Sequence, residues 1–574
     1  MKHLFPFTII LLSFYILSCA NQGTPTGGVM DTIPPLLVNS YPENKSINYK
    51  AKTFSFEFNE RINADKVKSQ LIITPHTENK FNVKYKKYSM EMEFEEAFED
   101  STTYTLNFAD GLVDITEKNP AENFRLAFST GPYIDSIYVT GKITDLYDNS
   151  DADQYLVALY QITDTLDIFE DKPRYFANTN EQGQFIIENI KNDHYKMIAF
   201  KDENKNLTLN PDTENHGFFS EPIDLTISQD SLRLKTQLID ASEFQFIRSK
   251  NTGRYFDIQF NKPVVSYELN KLDSTSTLPI PINNKTKQNT FVRFYPHLDF
   301  KLDKDSLGIV IQALDTMTNP TKDTVFIKFK ASTRKASSFL ASINPGSNSK
   351  IDPKIEHTIT FSKPIEKYSY DSIQFAYDTL HYQAIPDSLF TWNNTKTVLS
   401  FSSVLDHKYL STEVDTLLSI YGDTTRTDSV SMSIAKYLSA IKTDQVSLVI
   451  PPNTFISIEG DSSATLTSQY KFKSSEDMGS VSGKILTEQK SFIIQLISDD
   501  YKSIVAESKD LNTFNFPSVK PGKYTFRVMI DTDNNGIWSY GNILQNREPE
   551  TIFFYPEVFD VRANWQLENI EISF

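Results

Sequence analysis

The sequence predicts an all-β protein, a string of five antiparallel β-sandwich domains. Three observations predict this fold: short stretches that alternate apolar and polar residues, turn residues between them, and two sets of motifs that recur along the 574 residues. A half-buried strand alternates with period two because successive side chains point to opposite faces of the sheet. Helix-period stretches are almost absent, and residues 431–441 are the single modest candidate.

The first alternating stretch is TFSFEF at residues 53–58. MEMEF at 90–94 and YTLNF at 104–108 repeat the pattern, and FRLAFST at 124–130 ends it. Such stretches, bounded by turn residues, are typical of strands. They predict a first domain over residues 34–132.

Elements of this first domain recur twice. The motif at the end of its first alternating strand, FNERI at 58–62, recurs as FNKPV at 260–264 and as FSKPI at 361–365. Its closing stretch has counterparts at 326–333 and 470–475. An Asn-Pro turn, which initiates a reversal of the chain, precedes the closing stretch in the first two copies, at 114–120 and 315–320.

In this order, the motifs resemble the bacterial Ig-like domain of S-layer proteins. The resemblance implies a seven-stranded antiparallel sandwich. It predicts further Ig-like domains at residues 240–335 and 336–476, the last with a polar insertion near residues 415–443.

A second module also occurs twice. VTGKI at 139–143 opens one copy and VSGKI at 481–485 opens the other. Three residues follow at spacings of ten and then seven in both copies: Phe185, Tyr195 and Asp202, and Phe514, Tyr524 and Asp531. This module is similar to the prealbumin-like or carboxypeptidase-regulatory β-sandwich, which implies such domains at residues 133–239 and 477–574.

The N-terminus carries a short apolar run at residues 7–17, followed by Cys19, the single cysteine of the chain. The run is shorter than the roughly 20 residues of a membrane-spanning helix and has the length of a secretory signal. It resembles a bacterial lipoprotein signal, which implies removal of residues 1–18, acylation of Cys19 and a lipidated tether over residues 19–33. The tether is predicted to be flexible because it is rich in Gly and Pro. The alternative is an ordinary cleaved signal, which would leave Cys19 an unpaired thiol.

Composition excludes several classes of function. A net charge of −17 repels a phosphate backbone, so nucleic acid is not an expected partner. The eight histidines form no His-Glu-x-x-His frame, and the sequence contains no Gly-x-Ser-x-Gly elbow and no phosphate-binding Gly-Lys-Ser/Thr loop. We therefore predict that the protein is not an enzyme and has no organic cofactor.

The stretch most like a site is DTDNNG at residues 531–536, where Asp531, Asp533 and Asn535 occupy alternate positions. Oxygen ligands at this spacing wrap a hard cation, so these residues are candidate Ca²⁺ ligands. The EF-hand pattern is incomplete because its twelfth position is Asn542 instead of Glu. The alternative is an Asx-rich turn, since Asp and Asn side chains bond their own backbone. The related loop at 202–206 (DENKN) has the same two interpretations.

These features together predict a non-enzymatic, lipid-anchored envelope protein of the outer membrane, on its periplasmic face or at the cell surface. Its partners are predicted to be outer-membrane proteins, either β-barrels or other lipoproteins, for which it acts as a docking scaffold in an assembly, export or nutrient-uptake complex. Strand edges and loop ends of sandwiches suit such docking. The alternative is a glycan-binding or adhesin lipoprotein. Glycan-binding surfaces usually present exposed tryptophan, and the chain has only three tryptophans, Trp392, Trp538 and Trp565, which counts against this alternative.

Overall fold

A computed structural model describes residues 30–121, 124–252, 254–296, 301–333, 337–352, 354–377, 382–405, 445–472 and 478–574. The prediction of an all-β protein is confirmed. Helical structure in the described ranges is limited to α1 (Val67–Gln70) and two 3-10 turns, Asp387–Leu389 and Ile543–Gln545. No helix in those ranges is both long and apolar enough to span a bilayer. The predicted helix at 431–441 and the insertion around it lie outside the described residues, as do Cys19 and the signal.

The chain divides into two compact units. One consists of Met1–Asp145 and Ser150–Ile239, and the other of Leu146–Asn149 and Asp240–Phe574. Five segments, each with its own apolar core, follow one another: segment 1 (37–129), segment 2 (137–236), segment 3 (246–327), segment 4 (341–472) and segment 5 (479–573). The domain boundaries given by the sequence remain a prediction.

Segment 1 consists of a four-stranded sheet in the order β1-β2-β6-β5, a three-stranded sheet β4-β7-β9 and a strand pair β3-β8. Its strands are β1 (Leu37–Tyr41), β2 (Thr53–Phe58), β3 (Ile62–Asn63), β4 (Ile72–Thr74), β5 (Phe81–Tyr85), β6 (Ser89–Phe94), β7 (Thr103–Asn107), β8 (Val113–Asp114) and β9 (Arg125–Ser129). The alternation decides which side chains are inside: Phe54, Phe56 and Phe58 of β2 are buried, and the residues between them are not.

Segment 2 has a three-stranded sheet β13-β10-β17 and a sheet β12-β11-β14-β15 in which β16 also pairs with β14. Its strands are β10 (Ile137–Asp145), β11 (Leu156–Gln161), β12 (Tyr175–Asn178), β13 (Gln184–Ile190), β14 (Asp193–Phe200), β15 (His216–Phe218), β16 (Ile223–Leu225) and β17 (Gln229–Thr236). The pair β10–β17 is parallel.

Segment 3 repeats the arrangement of four and three strands, as β18-β19-β22-β21 and β20-β23-β24. Its strands are β18 (Phe246–Thr252), β19 (Tyr255–Phe260), β20 (Ser266–Lys271), β21 (Asn283–Thr286), β22 (Phe291–Phe294), β23 (Leu307–Leu314) and β24 (Pro320–Ile327). The last strand differs from the sequence prediction, which placed the closing strand at 326–333. It begins at Pro320 instead, because the Asn-Pro turn leads directly into a β23–β24 hairpin.

Segment 4 has the sheets β25-β27-β32-β31 and β26-β35-β33-β29-β30 and the pair β28-β34. Its strands are β25 (Ala341–Asn344), β26 (Lys350–Ile351), β27 (Lys354–Phe361), β28 (Ile365–Tyr368), β29 (Gln374–Ala376), β30 (Tyr382–Ala384), β31 (Thr391–Trp392), β32 (Val398–Val404), β33 (Gln445–Ile450), β34 (Phe455–Ser457) and β35 (Leu466–Phe472).

Segment 5 has the same strand order as segment 2: a three-stranded sheet β39-β36-β43 and a sheet β38-β37-β40-β41 with β42 also on β40. Its strands are β36 (Gly479–Leu486), β37 (Phe492–Ser498), β38 (Ile504–Lys509), β39 (Thr513–Val519), β40 (Gly522–Ile530), β41 (Ile552–Phe554), β42 (Phe559–Val561) and β43 (Gln566–Ser573).

The registers of segments 2 and 5 agree in detail. Gly141 pairs with Phe185 as Gly483 pairs with Phe514. In each segment a tyrosine hydroxyl donates to the carbonyl four residues earlier: Tyr195 to Lys191 (2.8 Å) and Tyr524 to Lys520 (2.9 Å). The repeated sequence module therefore marks a repeated fold. Among the strands in the described ranges, three pairs depart from the predicted antiparallel order: β10–β17, β36–β43 and β26–β35 are parallel.

The predicted Asn-Pro turns are organised by buried aspartates. Asp114, fully buried, accepts hydrogen bonds from the backbone N–H groups of Glu117 (2.8 Å) and Lys118 (2.9 Å). The Asn119 side chain, which donates to Asp114 (2.8 Å), also donates to the carbonyl of Asp31 (2.9 Å). The chain is thus already held at Asp31, within the stretch that composition assigned to the flexible tether.

Within the unit that contains segments 3 and 4, a buried ion-pair network joins the two. Glu459 of segment 4 accepts from Lys363 (2.7 Å), from the Tyr255 hydroxyl (2.7 Å) and from Arg254 (3.3 Å). Lys363 also pairs with Asp461. Lys363 and Glu459 are almost fully buried, so their charges are compensated within this network instead of by water.

Candidate functional site

The candidate site is the loop that follows β40 in segment 5. Asp531 is the first residue after this buried strand and is itself buried. Its carboxylate accepts from the backbone N–H groups of Asn535 (3.1 Å) and Gly536 (2.7 Å). These bonds curl the loop back onto the strand end, and Gly536 takes the left-handed conformation (φ 87°) that favours glycine.

A third carboxylate enters this loop from a distant position in the chain. Glu550 accepts from the backbone N–H groups of Thr532 (2.6 Å) and Ser539 (2.7 Å), which places it beside Asp531 and Asp533. One oxygen from each of the three carboxylates lies within 4.8 Å of the others. Three carboxylates this close repel one another, and a cation would offset that repulsion.

Asn535 has a different role from the one predicted. Its side-chain amide donates to Asp533 (2.8 Å), and its side-chain oxygen accepts from the backbone N–H of Ile537 (2.8 Å). The loop thus brings Asp531 and Asp533 together as the spacing predicts, but it uses Asn535 to hold the turn. Asn542, the twelfth position, caps a 3-10 turn and donates to Asn319 (2.6 Å).

Electrostatics at Asp531 favour the ionised form. Burial works to raise the pKa of its carboxyl group, but hydrogen bonds from Ser491, Gly536 and Asn535 outweigh burial and hold that pKa below its usual range. An ionised, pre-oriented carboxylate is what a hard cation requires of a ligand.

The loop after β14 in segment 2 has the same pattern of side-chain to backbone hydrogen bonds, but it has one carboxylate fewer. Asp202 accepts from the backbone N–H groups of Asn206 (3.1 Å) and Leu207 (3.0 Å). Glu214 takes the place of Glu550, accepting from the N–H of Asn210 (2.9 Å). Asn204 replaces Asp533, so one carboxylate is lost. Both loops are therefore Asx-type turns, and only that of segment 5 adds a cluster of three carboxylates.

The sequence singled out Asp531 and Asp533 but missed Glu550. Glu550 lies nineteen residues after Asp531, whereas Glu214 lies twelve after Asp202, so no common spacing marks this residue type. The binding of a cation here remains a prediction. Cys19, the other predicted site residue, lies outside the described residues.

The strands and motifs of segment 1 are those of a bacterial Ig-like domain. Residues 31–130 match the family described as "Bacterial Ig-like domain". The matched range begins at Asp31, the residue that Asn119 holds. The resemblance predicted from the motifs is thus confirmed for segment 1.

Comparison with solved structures gives matches of low identity and low TM-score. Domains 1–6 of the surface layer protein SbsC share 8% identity at a TM-score of 0.14, covering 86% of this chain and 64% of that one. Dimeric latent PorU from Porphyromonas gingivalis shares 8% identity at a TM-score of 0.20, covering 58% and 36%. The human Desmocollin-1 ectodomain shares 12% identity at a TM-score of 0.13, covering 94% and 98%. The chain spans about two thirds of the SbsC fragment and about a third of PorU.

No curated protein matches the chain. The bacterial Ig-like match indicates a structural β-sandwich module of the cell surface or envelope at residues 31–130.

Proposed function

We propose that the protein is a lipid-anchored scaffold of the outer membrane that docks other outer-membrane proteins. Three features support the proposal: the predicted acylation of Cys19, the bacterial Ig-like domain that begins at residue 31, and a chain built from β-sandwiches. The lipid holds the protein at the membrane, and the sandwiches present strand edges to a partner.

One observation carries the docking part of the proposal. β1 (Leu37–Tyr41) is an edge strand of its sheet, and its sequence contains no charged residue. Val38 and Tyr41 are 66% and 64% exposed, and the preceding Leu36 is 57% exposed. Edge strands are normally protected by charge, proline or a cover, so an apolar edge of this kind suits pairing with a strand of another protein.

The experiment is affinity purification from detergent-solubilised membranes, comparing wild type with Val38→Lys. A lysine on the edge opposes strand addition, so we expect a co-purifying β-barrel or lipoprotein partner to be lost from the variant. Ile504→Lys, on edge strand β38 and at a residue that is 52% exposed, is the matched control and should keep the partner. Recovery of the wild-type protein without any outer-membrane partner would overturn the proposal.

The tether has its own test. Cys19→Ala should abolish acylation and release the protein from the membrane fraction, because a pair of acyl chains gives stable anchoring. Mass spectrometry of the N-terminal peptide and fractionation after a salt wash measure both consequences. A variant that still sediments with membranes in the absence of a partner contradicts the lipid anchor.

A further inference from the structure

We propose that segment 5 carries a binding groove for a neutral polysaccharide on the outer face of its three-stranded sheet, centred on Trp565. The proposal does not depend on the lipid tether or on a docked protein. It rests on the shape and chemistry of one surface and on a comparison with the equivalent surface of segment 2.

The groove follows the outer face of β39, β36 and β43. Its volume is about 1140 Å³, and every lining residue lies between Met478 and Asn569. The groove is therefore formed by segment 5 without residues from a neighbouring segment. A groove of this size and a polar lining suit an extended polar ligand.

Trp565 supplies the aromatic surface in the groove. It is 52% exposed, whereas Trp538 is buried and Trp392 donates its ring N–H to Tyr370. The guanidinium of Arg562, which is not among the lining residues, lies over the Trp565 ring at 4.8 Å. This cation–π contact holds the indole in place, so the ring needs little ordering when a ligand arrives. A rigid, exposed indole is a platform for the C–H face of a sugar ring.

Hydrogen-bonding groups lie beside this platform. Asn515 on β39 and Gln566 on β43 line the groove and are exposed. Neither amide side chain makes a hydrogen bond within the parts of the chain that the structure describes, so both are available to sugar hydroxyls. Ser482 and Thr513 add hydroxyl groups to the same face. An amide offers both donor and acceptor, which matches the dual character of a sugar hydroxyl.

The equivalent face in segment 2 faces segment 1 across a cavity of about 830 Å³, and polar contacts join the two segments beside it. There Glu188 at the end of β13 accepts from Arg125 (2.7 Å), and Asn189 donates to Thr105 (2.9 Å). In segment 5 the corresponding residues are Pro517 and Ser518, so these polar anchors for a neighbouring sandwich are missing.

The residue of segment 2 that is equivalent to Trp565 is Ile227. Each of the two lies four positions before a residue with positive φ, Asn569 in segment 5 and Ser231 in segment 2. Segment 5 thus lacks the protein-packing groups of segment 2 and has an indole where segment 2 has Ile227, which favours a sugar over a protein as the occupant.

Two further features restrict the class of ligand that the groove can bind. Pro517 lies in β39, an edge strand, and a proline there lacks the N–H that an added protein strand would use. Among the lining side chains, the carboxylates of Glu507 and Glu568 outnumber the ammonium group of Lys484, which pairs with Glu571 at 2.8 Å. Together with the chain's net charge of −17, this disfavours an acidic polysaccharide.

The test is affinity electrophoresis of the full chain through native gels containing xyloglucan, mixed-linkage β-glucan or galactomannan. An acidic polygalacturonate gel serves as the charge control. We expect retardation in at least one neutral gel, none in the acidic gel, and a loss of affinity of about tenfold or more in Trp565→Ala, the effect of removing an aromatic anchor. Trp565→Phe, which keeps an aromatic face, should retain most of the binding, and Ile227→Ala should bind as wild type does.

A second measurement separates binding from folding. The retained polysaccharide should protect Trp565 from acrylamide quenching, and this protection should be absent in Trp565→Phe even if the variant still binds. The thermal midpoint of each variant establishes that it is folded. The proposal is overturned if the wild type migrates freely in all three neutral gels, or if a folded Trp565→Ala is retarded as strongly as wild type. It is also overturned if the substitution removes a co-purifying protein instead.

Discussion

At the scale of single residues, His357 on β27 lies in an unusual environment for an ionisable side chain. Its ring is buried and stacks on Phe401 (centroids 4.9 Å apart, interplanar angle 10°) in the core of segment 4. Within the described residues neither ring nitrogen has a hydrogen-bond partner. Burial therefore lowers the pKa of His357 from 6.5 to about 4, because no group compensates the charged form.

This residue should make segment 4 sensitive to acid. The unfolded chain binds a proton near pH 6.5 and the folded chain only near pH 4, so stability is complete above pH 6.5 and is lost as the pH falls through that window. At pH 5 the loss is about 2 kcal/mol. His357→Leu should abolish it. Thermal midpoints at pH 7.5 and pH 5 measure the difference.

His194→Leu is the control for this comparison, since the His194 side chain is 58% exposed. Because His194 lies in segment 2, its substitution should leave the acid sensitivity of segment 4 unchanged. Parallel pH profiles for wild type and His357→Leu would contradict the assignment of the acid sensitivity to His357.

At the scale of elements, the repeated Val-x-Gly-Lys-Ile motif owes its glycine to a close approach of strands. A Cβ on Gly483 would lie 2.1 Å from the carbonyl oxygen of Ile570 on β43, and one on Gly141 would lie 2.4 Å from that of Leu232 on β17. Phe185 and Phe514, the next residues of the module, press on the same two positions. The glycine thus permits the parallel pairing of the first and last strands of each segment.

Gly483→Ala should therefore destabilise segment 5. Overpacking against a backbone carbonyl costs about 2 kcal/mol or more, because neither strand can retreat without breaking its ladder. The expected fall in the thermal midpoint is about 10 °C for a domain of this size. Gly346→Ala is the control, since no atom lies within 4 Å of the added Cβ. Equal midpoints for the two variants would exclude the packing explanation.

The carboxylate loop of segment 5 makes a prediction about Ca²⁺. If Asp531, Asp533 and Glu550 bind the ion, excess Ca²⁺ should raise the thermal midpoint of segment 5 and a chelator should lower it, because the ion binds the folded loop alone. Asp531→Ala and Glu550→Gln should remove the response. Calorimetry gives the uptake directly.

Segment 2 offers the matched control for the loop, since Asn204 stands where segment 5 has Asp533. Asn204→Ala should leave the Ca²⁺ response of the full chain unchanged. A midpoint insensitive to chelator, with no uptake at millimolar Ca²⁺, would leave the loop as an Asx turn held by its backbone hydrogen bonds.

At the scale of the whole molecule, a buried ion-pair network stabilises the interface between segments 3 and 4. Glu459 is the acceptor shared by Lys363 and Tyr255, and removing its charge leaves the buried Lys363 with Asp461 as its remaining carboxylate. Breaking a buried pair costs about 3 kcal/mol, whereas an exposed pair contributes less than about 1 kcal/mol.

Glu459→Gln should therefore lower the stability of segment 4 and expose its junction with segment 3 to protease. Differential scanning calorimetry and limited proteolysis measure the two effects. Glu78→Gln, which breaks the exposed pair with Lys172, is the control and should change neither. A Glu459→Gln protein as stable and as protease-resistant as wild type would show that the network is dispensable.

The strands and the repeats could be predicted from local sequence pattern. Period-two alternation decides which side chains of a strand face the core, so β2 occupies the predicted residues 53–58, and the spacing of Phe185, Tyr195 and Asp202 recurs because the same strands pair in the same register. Strand ends were less predictable: β24 begins at Pro320 because a hairpin turn overrides the local pattern.

Tertiary structure alone decided which distant residues meet. Glu550 reaches Asp531 through a connection of a different length from the one that brings Glu214 to Asp202, and loop length carries no periodic signal. The sequence does not distinguish the three tryptophans from one another. In the structure Trp565 is the one of the three that is exposed in an open groove, because exposure depends on which residues pack against that surface of the sheet. Local pattern specifies the strand, whereas a site is formed by contacts between strands and loops that lie far apart in the chain.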